Sequence, residues 1–122
     1  MQKHPCTKIS SIPLSCFDLV PVHIMVLDNT GKLIYANPTC KKLLNLVQVN
    51  PCPTLDSLIV PEDQPRIIKD LLQAYRGNPR VKIPYVLLSR KNKRIKAAIT
   101  LVPVPNINQI VKHVIVIVYD EK

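Results

Sequence analysis

Aromatic side chains are scarce in this sequence of 122 residues, which has no tryptophan and a single phenylalanine. Isoleucine, valine and leucine must therefore fill the core, and few aromatic faces exist on which nucleic-acid bases could stack. Glycine is also rare, with Gly31 and Gly77 alone, so the sequence lacks a glycine-rich loop that would cradle phosphate. The apolar fraction of 47% is nevertheless that of a folded protein, and the length fits one domain.

Cysteine motifs and long hydrophobic runs are absent as well. The four cysteines form no C-x-x-C pair and have no ligand-like spacing to histidine, which favours reduced thiols in a cytoplasmic protein. They are Cys6, Cys16, Cys40 and Cys52. The apolar stretch 12–27 is interrupted by Pro13, Asp18 and Pro21 and is too short to cross a bilayer. We therefore expect a cytoplasmic domain with no signal peptide and no membrane span in this chain.

Acidic residues are missing between Asp70 and Asp120, a stretch that carries nine of the 17 basic residues. The densest group, the predicted basic patch, is Arg90, Lys91, Lys93, Arg94 and Lys96. A one-sided field of this kind favours an acidic partner, which could be another protein surface, an anionic membrane leaflet or nucleic acid. No aromatic residue lies in this group, so we expect no specific nucleic acid; a nucleic-acid-binding module that uses the 90–96 hairpin is the alternative. The simpler interpretation is a solvated hairpin that keeps the domain soluble.

Residues 12–122 are predicted to form one domain after a flexible lead-in at 1–11. A short amphipathic helix is expected at 12–19. The runs 22–27 and 32–36 read as two strands of a hairpin, because Asp28-Asn29-Thr30-Gly31 between them is a turn sequence.

Two helices and three strands are predicted in the rest of the chain. Asn37 is suited to cap a helix at 38–46, and Gly77 closes a helix at 62–76. The apolar stripe of the helix at 62–76 is predicted to be Ile67, Ile68, Leu71, Leu72 and Tyr75.

Pro84 makes 81–87 an edge strand. The strand at 95–102 follows, joined to it by a turn in which Asn92 takes the left-handed conformation. The run 113–119 is apolar on both faces, which places it in the middle of the sheet beside 22–27. The result is an α+β fold with a five-stranded antiparallel sheet and helices on one face.

The order of these elements resembles a PAS domain. Residues 28–37 resemble the hairpin of that family and its "Y-x-N" step into the first core helix, through Tyr35 and Asn37. Residues 60–63 resemble its "H-P-D-D" entry to the long helix, with Val60 in place of histidine, and residues 119–122 stand where the family has its "D-I-T" exit. The resemblance implies a sensor or dimerisation module of a histidine kinase of a two-component system, a diguanylate cyclase or a transcriptional regulator.

The resemblance also implies an interior pocket between the sheet and the helices, which would suit an apolar ligand such as a fatty acid. Tyr85 and Thr100 would be its polar groups. The predicted lining is Ile24, Val26, Leu44, Leu58, Ile68, Leu72, Tyr85, Leu87, Thr100 and Val116. The alternative, which we prefer, is a packed core without a ligand.

A homodimer is the expected assembly, with a downstream effector domain or an acidic protein as a further partner. The predicted dimer contact is the amphipathic set Ile12, Leu14, Phe17 and Leu19, which could cover the second face of the sheet. Asn37 is expected to be a structural cap.

Cofactor and catalytic chemistry find little support in the residues. The family's haem sensors carry a histidine on the long helix, and 62–76 contains none; the "N-C-R-F-L-Q" segment of its flavin photosensors is also missing. No metal is expected, because no ligand set converges. An enzyme is not expected; the alternative is a thiol-dependent enzyme that pairs Cys16 or Cys40 with His23, although both thiols are predicted to be inert.

Overall fold

Five strands form one antiparallel sheet, and two α-helices pack on one of its faces. The computed structural model describes residues 22–46 and 53–120. In chain order the elements are β1 (His23–Leu27), β2 (Leu33–Ala36), α1 (Pro38–Leu44), α2 (Gln64–Tyr75), β3 (Arg80–Leu88), β4 (Arg94–Pro105) and β5 (Val111–Asp120). Two single 3-10 turns, Leu55–Leu58 and Pro61–Asp63, lie between the helices. The α+β architecture predicted from the sequence is confirmed.

Some predictions fall outside the described residues. They concern the lead-in at 1–11, the helix at 12–19 with its four contact residues, and three of the cysteines, Cys6, Cys16 and Cys52.

The strand order is β2-β1-β5-β4-β3, so β5 lies at the centre of the sheet. Ile117 of β5 lies opposite Ile24 of β1 on one side and Thr100 of β4 on the other. The two apolar runs therefore pair side by side, as their apolar residues at successive positions predicted.

β3 is an edge strand, as Pro84 predicts. Its outer side is partly covered by the chain before α2: Val60 N–H donates to the Val86 carbonyl over 3.1 Å, and the Asp63 carboxylate accepts from Val86 N–H over 3.1 Å. Lys82, with φ +49°, interrupts the β3–β4 pairing. A proline, a covered segment and a bulge together make this edge a poor template for a further strand.

Backbone conformation fixes where the helices end. Asn45 is left-handed (φ 56°), so α1 stops at Leu44 and does not reach residue 46 as predicted. Gly77 has φ +93°. Gly77 N–H donates to the Ala74 carbonyl over 2.9 Å, and Asn78 N–H donates to the backbone carbonyl of Gln73 over 3.0 Å. This is a Schellman motif, and it confirms Gly77 as the residue that closes α2.

The buried face of α2 is narrower than the predicted stripe. Ile67, Asp70, Leu71 and Ala74 point into the core, whereas Ile68 is 46% exposed and Leu72 is 54% exposed. Positions 67, 70, 71 and 74 form one helical face, and that face includes a carboxylate. The apolar pattern could not reveal it, because Asp70 reads as a surface residue.

Candidate functional site

The ten predicted pocket residues do not form one wall. Five are packed in the core between the sheet and the helices: Leu44, Leu58, Tyr85, Leu87 and Val116. Three lie on the opposite face of the sheet, because they alternate with core residues along their strands: Ile24, Val26 and Thr100. Ile68 and Leu72 are exposed on α2. The expectation of one interior lining is corrected accordingly.

The two predicted polar groups of that pocket are engaged within the chain. Tyr85 is 3% exposed, and its hydroxyl donates to the carboxylate of Asp70, which is 7% exposed. Thr100 Oγ1 accepts a hydrogen bond from Lys82 N–H over 2.9 Å. The Tyr85 hydroxyl therefore donates within the chain, and the Thr100 hydroxyl accepts a hydrogen bond from the neighbouring strand.

Tyr85 belongs to a network of four side chains, with Asp70, Arg80 and Arg66. Arg80 Nε donates to Asp70 Oδ1 over 3.1 Å, so the buried carboxylate has a cation as well as a hydroxyl partner. The guanidinium of Arg66 lies 4.0 Å from the centroid of the Tyr85 ring, a cation–π contact. Burial raises the pKa of Tyr85, and the hydrogen bond to Asp70 raises it further. The phenol therefore stays protonated and acts as a donor that joins α2 to β3.

Asn37 connects β1 with the start of α1. It is fully buried, and its Oδ1 accepts from Cys40 N–H over 3.1 Å, which is the capping bond. The same oxygen accepts from Ile24 N–H over 3.0 Å, and Nδ2 donates to the Val22 carbonyl over 2.7 Å. Thr39 Oγ1 donates to that carbonyl over 3.0 Å. The capping bond was predicted from the sequence, whereas the bonds from Asn37 to Ile24 in β1 and to Val22 just before it were not.

Cys40 is a buried residue of α1, and its environment bears on the thiol-enzyme alternative. Desolvation by burial raises the pKa of the thiol to about 12, so the thiolate is not formed near neutral pH. The other cysteine of that alternative, Cys16, lies outside the described residues. His23 lies on β1, and His113 lies on β5, where burial lowers its pKa.

Ile68 and Leu72 contribute to a surface groove instead of an interior one. The groove has a volume of about 290 Å³ and lies between α2 and the β1–β2 turn. Its lining is Asn29, Thr30, Gly31, Asp56, Ile68, Leu71, Leu72 and Tyr75. The Tyr75 hydroxyl donates to the Asp28 carbonyl at this turn, so the turn is held against the helix.

The predicted basic patch divides into three parts. Arg94 is engaged with Glu62, with 2.7 Å between Nη1 and Oε2. Lys96 lies along β4 in a second groove that it shares with Asp63 and Arg66. Arg90, Lys91 and Lys93 remain together in the exposed β3–β4 turn.

The last turn of α1, which carries Lys41 and Lys42, is hydrogen-bonded to this β3–β4 turn. These two lysines were missed, because nothing in the sequence places residues 41 and 42 near residue 90.

Within residues 22–46 and 53–120, no group of three or more histidine, cysteine or acidic side chains converges on a possible metal position. In the same part of the chain, no helix combines the length and the apolar character that crossing a membrane requires.

No protein-family model and no curated protein sequence matches the chain. Solved structures are similar to it. The PAS domain of a protein from Colwellia psychrerythraea has a TM-score of 0.78 at 20% identity, covering 88% of this chain and 92% of that one. The N-terminal domain of a diguanylate cyclase with a PAS/PAC sensor from Marinobacter aquaeolei has a TM-score of 0.68 at 18% identity, covering 81% and 94%. The PAS domain of an HTR-like protein from Haloarcula marismortui has a TM-score of 0.70 at 16% identity, covering 88% and 87%. The chain therefore has the fold of a PAS domain, and the resemblance noted in its sequence is confirmed at the level of the fold.

Proposed function

We propose that this PAS-fold chain is a non-catalytic regulatory domain that relays a signal by associating with a second copy and with an effector. The effector would be a histidine kinase, a diguanylate cyclase or a transcriptional regulator, the types of protein that the resemblance to a PAS domain implies. The observation that carries the proposal is the fold, together with the single cluster of buried apolar side chains between the sheet and the helices. A domain with a packed core transmits displacement, because close-packed interiors deform little.

The positions of the first and last described residues, Val22 and Asp120, support a relay. His23, at the start of β1, lies opposite Val118 of β5, and Asp120, where β5 ends, lies opposite Ala97. The first and last described residues therefore lie at the same end of two neighbouring central strands. Val22 is held there by hydrogen bonds from Asn37 and Thr39. A displacement applied at Val22 would pass directly into the β1–β5 ladder.

The second face of the sheet is the surface proposed for the second copy. Half-buried Ile115 and Ile117 of β5 lie on this face, beside Thr100 of β4. Apolar side chains of this kind favour association when another apolar surface covers them. The segment with Ile12, Leu14, Phe17 and Leu19, which precedes β1, is proposed to contribute to the same contact.

Native mass spectrometry of the full chain tests the assembly and the packed core together. We expect the mass of two chains with no additional small molecule. Ile117→Glu should give a monomer with an unchanged circular dichroism spectrum, because a carboxylate would have to be buried in the contact. The matched control is Lys112→Glu, an exposed position on the same strand, which should leave the dimer intact. A wild-type monomer at every concentration would overturn the dimer, and a retained apolar molecule would overturn the ligand-free relay.

A further inference from the structure

The last turn of α1 and the β3–β4 turn lie against each other, although they are far apart in the sequence. The contact is a hydrogen bond of 3.0 Å from Arg90 N–H to the Leu44 carbonyl. Leu44 is the final residue of α1, and Lys41 and Lys42 lie in the same helical turn. The fold therefore brings the helical turn that carries these two lysines against the turn that carries Arg90, Lys91 and Lys93.

The β3–β4 turn is held by contacts that leave its cationic side chains out. Ser89 is 3% exposed, and its hydroxyl accepts from Lys91 N–H over 3.2 Å and from Lys93 N–H over 3.1 Å. Asn92 N–H donates to the Ser89 carbonyl over 2.9 Å, and Asn92 takes the left-handed conformation with φ 61°. The turn is thus preorganised, which reduces the conformational entropy lost when a partner binds.

No acidic side chain among the described residues forms an ion pair with the cations at this place. Among the described residues, the ion pairs are Arg66–Asp63, Arg80–Asp70 and Arg94–Glu62, and none of them includes the five cations. The sequence of α1 contains no acidic residue, and neither does the stretch that contains the turn. Like charges held together repel, and a partner of opposite charge removes that repulsion.

We propose that Lys41, Lys42, Arg90, Lys91 and Lys93 form one docking surface for an acidic segment of a partner protein. The proposal is independent of dimerisation through the sheet, because the five residues lie on α1 and on the β3–β4 turn. We call this set the two-part basic surface.

The residue types at this surface favour carboxylates as the partner chemistry. No aromatic side chain is present in α1 or in the turn to stack a base, the contact that proteins commonly use to bind single-stranded nucleic acid. Four of the five cations are lysines, which act as mobile point charges and suit a variable run of aspartate and glutamate. The exposed large hydrophobic side chains of the described residues lie elsewhere, so no apolar anchor for a membrane accompanies the charges; they are Ile68, Leu72, Val81, Ile107 and Ile110.

The test measures binding of the full chain to a fluorescent polyglutamate peptide, with an uncharged polyglutamine peptide as reference. Two variants each reverse one part of the surface, Lys41→Glu/Lys42→Glu and Arg90→Glu/Lys91→Glu. Each should weaken polyglutamate binding by about tenfold, the combined effect of two or more exposed ion pairs, and should reduce its salt dependence. The matched control is Lys69→Glu/Lys112→Glu, which changes net charge equally at exposed positions outside the surface and should leave the affinity within about twofold.

The result that overturns the two-part basic surface is an equal loss of affinity in the control variant, because binding would then follow net charge alone. Unchanged binding in Lys41→Glu/Lys42→Glu would also overturn it, since the turn would then act without α1. Vesicles of anionic lipid and a double-stranded RNA are run in parallel. If either binds more tightly than polyglutamate and loses binding in both surface variants, the acidic protein is the wrong partner.

Ser89→Ala separates geometry from charge, because it keeps all five cations and removes the hydroxyl that holds the turn. We expect weaker polyglutamate binding with an unchanged salt dependence, and full recovery in Ser89→Thr. Unchanged affinity in Ser89→Ala would show that a preorganised turn is not needed, and the surface would reduce to unspecific attraction. Melting curves of all variants identify any loss of binding that comes from unfolding.

Discussion

The hydroxyl of Tyr85 donates a hydrogen bond to the buried carboxylate of Asp70, and this contact joins the long helix to the edge strand of the sheet. Asp70 would be an isolated buried charge without its partners, which are Tyr85 and Arg80. Isolated charges are strongly disfavoured in a protein interior. The pair therefore fixes how α2 lies on β3.

Tyr85→Phe should lower the free energy of unfolding by about 1–3 kcal/mol, because a hydrogen bond to a buried charged group is lost while the ring remains. Tyr75→Phe is the matched control: the Tyr75 hydroxyl donates to a neutral backbone carbonyl, that of Asp28, at a half-buried position. Its loss should be smaller, about 1 kcal/mol. Urea unfolding of both variants measures the difference. A smaller loss at Tyr85 than at Tyr75 would contradict the importance of the Asp70 contact.

Asn37→Ala should destabilise the domain by about 1–3 kcal/mol, more than an ordinary cap, because Ile24 N–H and Cys40 N–H lose their acceptor inside the protein. Asn37→Asp is the informative companion. It keeps an acceptor oxygen, but it buries a charge and turns its second oxygen toward the Val22 carbonyl, so its loss at neutral pH should be at least as large as that of Asn37→Ala. Thermal melting measures both. An unchanged melting temperature in Asn37→Ala would show that the hydrogen bonds of this side chain add nothing to stability.

The stability of the domain should fall above pH 9 in part through Cys40. The pKa of this thiol is 9.0 when unperturbed and about 12 in the folded chain, because burial disfavours the thiolate. The unfolded chain therefore loses this proton first as pH rises. The contribution is fully present below pH 9.0 and is lost progressively between pH 9.0 and about pH 12.

Comparison with Cys40→Ala isolates that contribution, since all other titrating groups are common to both proteins. The wild type should lose more stability than Cys40→Ala between pH 8 and pH 10.5, values chosen on either side of the unperturbed pKa of about 8.5–9. Chemical unfolding at the two pH values gives the difference. Parallel decreases in the two proteins would show that Cys40 titrates normally.

Gly77→Ala should cost about 1–2 kcal/mol through backbone strain alone. Gly77 has φ +93°, and a Cβ placed there would meet no atom within 4 Å, so no steric clash contributes. Gly77→Asn should cost less, because asparagine tolerates positive φ better than alanine does. The order glycine, asparagine, alanine in urea unfolding is expected. An alanine variant as stable as the wild type would mean that the turn after α2 can rearrange without loss.

The central and edge strands, the cap of α1 at Asn37 and the end of α2 at Gly77 were predictable, because each depends on local chemistry. The runs 22–27 and 113–119 are apolar at successive positions, a pattern typical of strands in the middle of a sheet. Pro84 has no N–H to donate and therefore marks an edge, while Gly77 accepts the positive φ that ends α2. These properties belong to a residue and its immediate neighbours.

The candidate surfaces were less predictable. A helical stripe that includes Ile68 and Leu72 looks continuous in the sequence, but the direction in which α2 packs turns both toward solvent and brings Asp70 inside. Arg94 belongs to the same basic run as Arg90, yet Glu62 pairs with it across the fold. Neither outcome follows from periodicity, because periodicity describes one element and not its neighbour.

The sequence by itself determined the kind of elements, their order and the centre of the sheet, since hydrophobic period, proline and glycine act over a few residues. Only the tertiary structure decided which polar groups of distant residues meet. Arg90 reaches Leu44 because two chain segments pack at one end of the sheet, and Tyr85 reaches Asp70 because α2 crosses the edge strand there. Hydrogen bonds and ion pairs depend on separations of about 3 Å between distant residues, and such separations exist only after the elements have packed.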